Sequence, residues 1–475
     1  MHNADHEESP SELEAAAILG LETDPRTNSA FLKFLPRFLR DKLTGRHILQ
    51  TVVGNSSWLF WDKIIRLGAG LIVTLWIARY LGPGRFGLLS FAIAFTAIFN
   101  SMASLGMDTI VIRELAHSPE RRDSILGSAF ILRVLSAFIA FAIVMAAILI
   151  LRRGDFITIW VVAINAGQFL FQSLNVIDLY FQSKVQSRYT VYATNAAFLL
   201  MAVVKIVLLL SKASLIAFAW ATLGEFALAS VFLLIVYRTR NLRVTTWHPT
   251  LAVMRDLLRE SWPMILTGIS AMISIRIDQV LIGQMLNDKQ VGIYSAAARI
   301  SEAWYFIPLA LTGSVLPLLV EIKKKSETLY YDRLQKFCNV QALIGIAFAL
   351  FITVTAGPLT RVLYGPAYAG SAAVLRILIW GSVLIPIGGG WANWMLLENR
   401  TKTIFYFQIF GAVLNVILNL VLIPHFGISG SAYATMISYS AWVFVLCPFM
   451  KSQRKIWLIM VRSLSLIWLF DLRKK

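Results

Sequence analysis

Apolar residues dominate the chain in long, uninterrupted blocks. Twelve stretches of mostly apolar residues lie between residues 53 and 450, each close to the roughly 20 residues an α-helix needs to cross a hydrocarbon core. Their approximate limits are 55–80, 86–107, 128–151, 156–180, 189–210, 213–237, 262–286, 291–318, 338–357, 371–397, 403–423 and 427–450. Membrane barrel strands alternate over about ten residues, whereas blocks such as 131–151 are continuously apolar. The pattern predicts an all-α polytopic membrane protein with about 12 transmembrane helices.

Outside the blocks the pattern changes. Residues 1–30 are polar and begin with seven acids, from Asp5 to Asp24, before the first basic residue, Arg26; they read as a disordered acidic tail with no cleaved leader. In residues 31–50, Phe31, Leu32, Phe34, Leu35, Phe38, Leu39 and Leu43 recur at helical spacing beside Lys33, Arg37, Arg40 and Lys42, as in a helix lying in the membrane interface, although Pro36 interrupts it. Residues 456–470 are apolar but short, with Arg462 in their middle, and read as an interfacial tail helix within a basic tail, 451–475.

The blocks repeat. Leu81, Gly87, Ser90 and Ala92 align with Leu286, Gly292, Ser295 and Ala297, and Ala219-Trp220-Ala221-Thr222 aligns with Ala432-Tyr433-Ala434-Thr435. Both matches fall at the same ordinal place in a set of six spans. The expected organisation is an N-terminal six-helix lobe (51–237), a basic linker (238–260) and a C-terminal six-helix lobe (261–450). Six is even, so both copies enter the membrane in one direction and should be related by a pseudo-two-fold axis along the membrane normal. Secondary transporters use such pairs around a site that opens alternately to each side.

Composition narrows the class further. Of 475 residues, 57% are hydrophobic and only 15% charged, against about 25% charged in soluble proteins, which excludes a soluble enzyme. The net charge of +18 is concentrated in alternate loops, including Arg238, Arg240, Arg243, Arg255 and Arg259 and the Lys323-Lys324-Lys325 run. Basic residues mark cytosolic loops, so both termini are expected in the cytoplasm, and no nucleic-acid partner is needed to explain the charge. The two cysteines, Cys338 and Cys447, read as packing residues, and the six histidines show no metal-ligand spacing.

No phosphate-binding loop, HExxH, GxSxG or DxD motif occurs, so bond-making catalysis has no visible machinery. The informative residues are the polar ones inside spans, because each is costly unless it faces water or a partner. Asp62, Lys63 and Arg66 lie in the first span, and Arg276 and Asp278 in the seventh. Arg66 and Arg276, near mid-depth, are expected to present charge to a central cavity where guanidinium groups hold a diphosphate. Lys63 joins this cationic set but, like Arg133, also reads as a snorkelling side chain. Structural ion pairs are the alternative for all of them.

The fourth span carries Asn165, Gln168, Gln172, Asn175 and Asp178 on one face, continued by Gln182. That stripe suits a water-filled wall that hydrogen-bonds sugar hydroxyls, with interhelical amide bonding as the alternative. Asn415 and Asn419 form a smaller version on the eleventh span. Glu225 and Glu302 sit mid-membrane and, with Asp62, Asp178 and Asp278, are candidates for coupling to a proton or sodium gradient. Lys205 is a candidate partner for Glu225, and Arg299 for Glu302. Pro308 in the eighth span and Pro386 with Gly388, Gly389 and Gly390 in the tenth are candidate hinges.

Three segments carry a resemblance: LGPGRFGLLSFAIAFTAIFNSMASLGMDTIVIRELA (81–116), IDQVLIGQMLNDKQVGIYSAAARISEAWYFIP (277–308) and LYGPAYAGSAAVLRIL (363–378). They resemble the polysaccharide transporter family that includes the Wzx O-antigen flippases. The resemblance implies a MATE-like, two-lobed member of the multidrug/oligosaccharidyl-lipid/polysaccharide exporter superfamily in a bacterial inner membrane. It implies translocation of an undecaprenyl-diphosphate-linked oligosaccharide, work beside a polysaccharide polymerase and export complex, proton or sodium antiport, and no catalytic residue or cofactor. A multidrug exporter of the same superfamily and, more distantly, a membrane-embedded polymerase or ligase are the competing readings.

Overall fold

A computed structural model describes residues 47–398, 400–450 and 453–465. The acidic tail, nearly all of the expected interfacial helix at 31–50 and the last ten residues lie outside the described residues, as do the side chains of Asp62 and Lys63.

The described chain is nearly all helix: α1 (His47–Ile98), α2 (Asn100–Ala103), α3 (Asp108–His117), α4 (Arg122–Leu151), α5 (Phe156–Ala166), α6 (Gln168–Gln172), α7 (Val176–Ser183), α8 (Arg188–Leu210), α9 (Leu215–Thr239), α10 (Leu251–Met285), α11 (Asp288–Trp304), α12 (Phe306–Lys325), α13 (Glu327–Tyr364), α14 (Ser371–Leu378), α15 (Gly381–Leu397), α16 (Thr401–Ala441) and, after a π-helical turn, α17 (Arg454–Ser465). Among the described residues, ten helical stretches are long and apolar enough to cross a membrane. Two of them contain a left-handed glycine, Gly82 (φ 68°) and Gly427 (φ 58°), conformations that a side chain disfavours.

At Gly427 the chain doubles back. Ser431 Oγ donates to Asn419 Oδ1 at 2.5 Å, although residues twelve apart in a straight helix stand about 18 Å from each other. At Gly82 the direction breaks as well: the Tyr368 ring contacts Phe86 while its hydroxyl donates to the Ala78 carbonyl. With both turns counted, the ten stretches are consistent with twelve crossings.

The repeat is visible in the local chemistry of equivalent turns. In the first copy, Leu81-Gly82-Pro83 turns through the left-handed glycine, and Pro83 opens the next helical arm, a position that needs no N–H. In the second, Leu286-Asn287-Asp288 makes the same passage with Asn287 as a cap whose side chain accepts from Gln290 N. Ala219 and Ala221 are buried on either side of exposed Trp220, and Ala432 and Ala434 on either side of exposed Tyr433. Matching residues therefore hold matching environments.

Two positions differ from the sequence reading. Residues 251–260, expected as linker, are the opening turns of α10. The fourth span is interrupted at Gly167 and by a 3-10 turn at Ser173–Asn175. The tail helix α17 rests on protein: Gln335 Nε2 donates to the Ile459 carbonyl and Ser463 Oγ, and Ile456, Ile459 and Met460 are buried. Both cysteines are buried and unbonded to each other.

Candidate functional site: the seam between the halves and a polar pocket

The two halves meet along a seam. Its ends are the linker end, which carries residues 240–250, and the distal end, which carries the Gly82 and Asn287 turns. At the distal end the arm of α1 after Gly82 crosses α11 at backbone contact. A Cβ built on Gly87 would lie 1.7 Å from the Asp288 carbonyl oxygen, and one on Gly292 would lie 2.0 Å from that of Pro83. Pro83 and Asp288, like Gly87 and Gly292, are repeat equivalents, so the contact is two-fold in itself. The repeated glycines are explained: only a residue without a Cβ lets two helix backbones come this close.

Polar bonds fasten the same end. Arg152 Nη2 donates to the Gly283 carbonyl at 2.7 Å and to Asp288 Oδ1 at 2.8 Å, and its guanidinium stacks on Phe91. Arg79 bonds the Val362 carbonyl. At the linker end the fastening runs through α10: Gly106 abuts Met264 and Gly268 abuts Ser101, Thr250 N donates to Ser128 Oγ at 3.0 Å, and exposed Arg113 pairs with exposed Glu260 at 2.6 Å. α11 packs chiefly on α1, whereas its continuation α12 packs chiefly on α13 and α15 of its own half. The seam is therefore tight distally and looser beside α12.

Charged residues in the spans are mostly matched. Glu225 Oε2 accepts from Lys205 Nζ at 2.8 Å, as the sequence anticipates, and Glu225 Oε1 lies 3.8 Å from Arg66. One carboxylate thus serves two cations. Arg276 is bidentate on Glu302, at 2.9 and 3.1 Å; its charge is balanced, so it does not offer the free cation expected of it. Asp278 is buried, accepts from Gln279 N and takes the Tyr294 hydroxyl. Arg299, expected beside Glu302, instead stacks on Phe86 from the other half, 5.7 Å from its ring centroid. Among described residues its guanidinium has no hydrogen bond or ion pair, and the residue is half-buried. Tyr364, within its electrostatic reach, has a buried hydroxyl without a partner. Hydropathy alone could not single out Arg299 from the other arginines, since only packing decides which one lacks an anion.

The amide stripe divides. Gln172, Asn175, Asp178 and Gln182 line a cavity of about 300 Å³ with Asn100, Ser104, Asp108, Thr109, Arg133 and neighbours. Gln168, outside that lining, is bonded to Gln172, and Gln182 to Asp178 at 2.9 Å. Asn165 is no part of the cavity: it is buried, and its amide bonds the Val161 carbonyl one turn back. Asn415 and Asn419 do not line that cavity either. They are fully buried: Asn419 Nδ2 donates to Asn415 Oδ1 at 3.0 Å along one arm, and Asn419 Oδ1 accepts from Ser431 Oγ across the Gly427 turn. Arg133 does not snorkel; it is 3% exposed and pairs with Asp108, a partner on a short surface helix that the span pattern passes over.

The hinge positions divide too. The eighth span breaks at Tyr305, between α11 and α12 and three residues before Pro308. The tenth breaks at Ile379–Trp380, while Pro386, Gly388, Gly389 and Gly390 lie inside continuous α15. The two breaks touch: Ser301 Oγ donates to the Leu378 carbonyl at 3.1 Å and lies 3.1 Å from the Tyr305 hydroxyl.

Comparison with known proteins adds five likenesses. The profile of the family described as polysaccharide biosynthesis protein matches residues 52–323, and that of MatE matches residues 263–421. The chain is 23% identical over 401 residues to a Haloferax volcanii protein named "Probable flippase AglR", covering 81% of this chain and 80% of that one. The fold matches the lipid II flippase MurJ in its inward closed conformation with a TM-score of 0.65 at 14% identity, over 89% of this chain and 93% of that one. It matches an inward-facing multidrug resistance MATE family transporter with a TM-score of 0.62 at 14% identity, over 86% and 95%.

Proposed function

The chain belongs to the polysaccharide biosynthesis protein family and has a MATE-like fold, and from that premise we propose that it is a flippase for a lipid-linked oligosaccharide. The substrate in this reading is an undecaprenyl-diphosphate-linked repeat unit, moved across a bacterial inner membrane by alternating access. The positive charge of the linker end orients that end to the cytoplasm. The distal crossing at Gly87 and Gly292 is then the closed periplasmic gate, and the looser seam beside α12 is the entrance.

One observation carries the reading: Arg299, a cation with no ion-pair partner among the described residues, at the place where Phe86 of one half meets α11 of the other. A guanidinium so placed has donors to spare for a diphosphate, and parting of the halves distally would separate it from Phe86. Substrate release would thus be linked to the gate. Glu225, Glu302 and Asp278 are the carboxyls through which a proton or sodium gradient would act. In this reading residues 51–237 and 261–450 are the two moving lobes.

The MatE match over the second half favours one other reading, an exporter of organic cations. The unmatched arginine opposes it, because it would repel such cargo. The test is reconstitution in liposomes with a fluorescent undecaprenyl-diphosphate oligosaccharide and an impermeant quencher. Wild type should accelerate exposure of the labelled lipid, Arg299→Ala should lose at least about tenfold of that rate, and Arg276→Ala should lose less. No acceleration with any lipid-linked sugar, together with efflux of a cationic dye, would replace this reading with drug export.

A further inference from the structure

The linker end carries a groove that neither the distal gate nor Arg299 explains. About 550 Å³ in volume, it is lined by Leu132 of α4 and by Leu251, Met254, Arg255, Leu258 and Arg259 of α10. α4 belongs to the first half and α10 opens the second, so an occupant would touch both. On α10 the groove residues continue into one exposed stripe. Leu251, Arg255, Leu258, Arg259, Trp262 and Leu266 recur at helical spacing, all of them exposed, while Val253, Leu257 and Ser261 are buried on the opposite face.

Length places this stripe in the membrane interface. α10 has 35 residues, about 52 Å of helix, against a hydrocarbon core of about 30 Å. The excess falls in its opening turns, where Arg255, Asp256, Arg259 and Glu260 are exposed. Exposed Trp262 follows them, and tryptophan collects at headgroup depth. The groove therefore stands at headgroup level with apolar walls beside its two cations.

Among the described residues neither Arg255 nor Arg259 makes an ion pair or a side-chain hydrogen bond. The acids of the same turns are aimed elsewhere. Asp256 stands about 100° round the helix from Arg255, and Glu260 about 100° from Arg259; Glu260 is held by Arg113 of the first half. Two guanidinium groups one turn apart match the oxygens of a phosphate. The leucines and Met254 call for an alkyl chain on the same ligand, which a free phosphate lacks. The groove shares no residue with α12, beside which the cargo would enter.

We propose that this groove binds an anionic phospholipid, with the phosphate between Arg255 and Arg259 and the upper part of an acyl chain along Leu132, Met254 and Leu258. Seated on α4 and α10 together, the lipid reinforces the attachment of α10 to the first half. The inference concerns the surrounding bilayer and does not depend on which cargo is carried.

Native mass spectrometry of the full chain in detergent, with phosphatidylglycerol and phosphatidylcholine added in equal amounts, tests it. The first bound lipid should be phosphatidylglycerol by about tenfold. Arg255→Gln with Arg259→Gln should bring the two lipids within about threefold, while phosphatidylcholine adducts persist and show that the variant is folded. Arg255→Lys with Arg259→Lys keeps the charge and should retain most of the preference. Arg238→Gln with Arg243→Gln removes the same charge from exposed positions outside the groove and should leave the preference unchanged. Phosphatidylglycerol should also raise the thermal unfolding midpoint of wild type but not of the Arg255/Arg259 glutamine pair. Equal binding of the two lipids by wild type, or an equal loss in both glutamine pairs, would overturn the site. Displacement of phosphatidylglycerol by millimolar glycerol 3-phosphate would reduce the groove to an anion site and overturn the lipid assignment.

Discussion

The two ends of the seam hold the halves together by different means. At the distal end backbone meets backbone across Gly87 and Gly292, and the half-buried side chain of Arg152 (17% exposed) spans to Asp288 (24%). At the linker end the corresponding ion pair, Arg113 with Glu260, is half in water, 48% and 46% exposed, and the closer contacts all run through α10, which the chain itself ties to the first half. The distal end is a specific, short-range lock that either fits or does not. The linker end is a strap that keeps α10 in place while α12 stays with its own half. A molecule built this way can open beside α12 without breaking a packed surface, but must break one to open distally.

Substitutions at the two ends should differ accordingly. The largest effect is expected from Gly87→Ala or Gly292→Ala. Overpacking typically costs about 1–3 kcal/mol, here charged against the distally closed state alone, which shifts the balance of conformations by roughly 5- to 150-fold. Cysteine labelling from the distal side should rise to a similar extent in both variants, because the positions are equivalent; a rise in only one would break the two-fold account. Arg152→Ala should come next, at about 2 kcal/mol for lost hydrogen bonds to a charged donor, again read as increased distal labelling. Thr250→Val, which removes the hydroxyl partner of Ser124, should cost about 1 kcal/mol in thermal stability with no change in distal labelling. Arg113→Ala should be the mildest, below about 1 kcal/mol and weaker still in high salt; a large, salt-independent loss would mean that the linker end is a lock as well.

How far these features were legible in sequence depended on how local their causes are. The all-helical spans and the repeat follow from hydropathy and spacing, and the equivalence of Gly87 with Gly292 was readable as a match. Its reason was not, because a backbone clash exists only once two distant helices cross. The Lys205–Glu225 pair was anticipated, since two lone ionised groups in adjacent spans have few other partners. Glu302 had two arginines in reach, Arg276 and Arg299, and spacing along one helix favoured the wrong one. The amide stripe shared a helical face on paper, but the breaks at Gly167 and Ser173–Asn175 sent Asn165 into a core and the later amides to the pocket. Asn415 and Asn419 read as cavity lining because a hairpin at Gly427 leaves no trace in their own spacing. Pro386 and Gly388–Gly390 marked bending capacity; the break itself fell at Ile379–Trp380, where Ser301 is present to take the freed Leu378 carbonyl.

Alternating access in the proposed flippase requires the distal seam to part and rejoin. Arg79→Cys with Val362→Cys places one thiol on each side of that seam, where the two residues touch, in a background without Cys338 and Cys447. Bridging them with a short bifunctional thiosulfonate in proteoliposomes should abolish quencher-detected flipping of the undecaprenyl-diphosphate oligosaccharide, and cleavage by reductant should restore it. Flipping at the uncrosslinked rate while the bridge is intact would contradict the account.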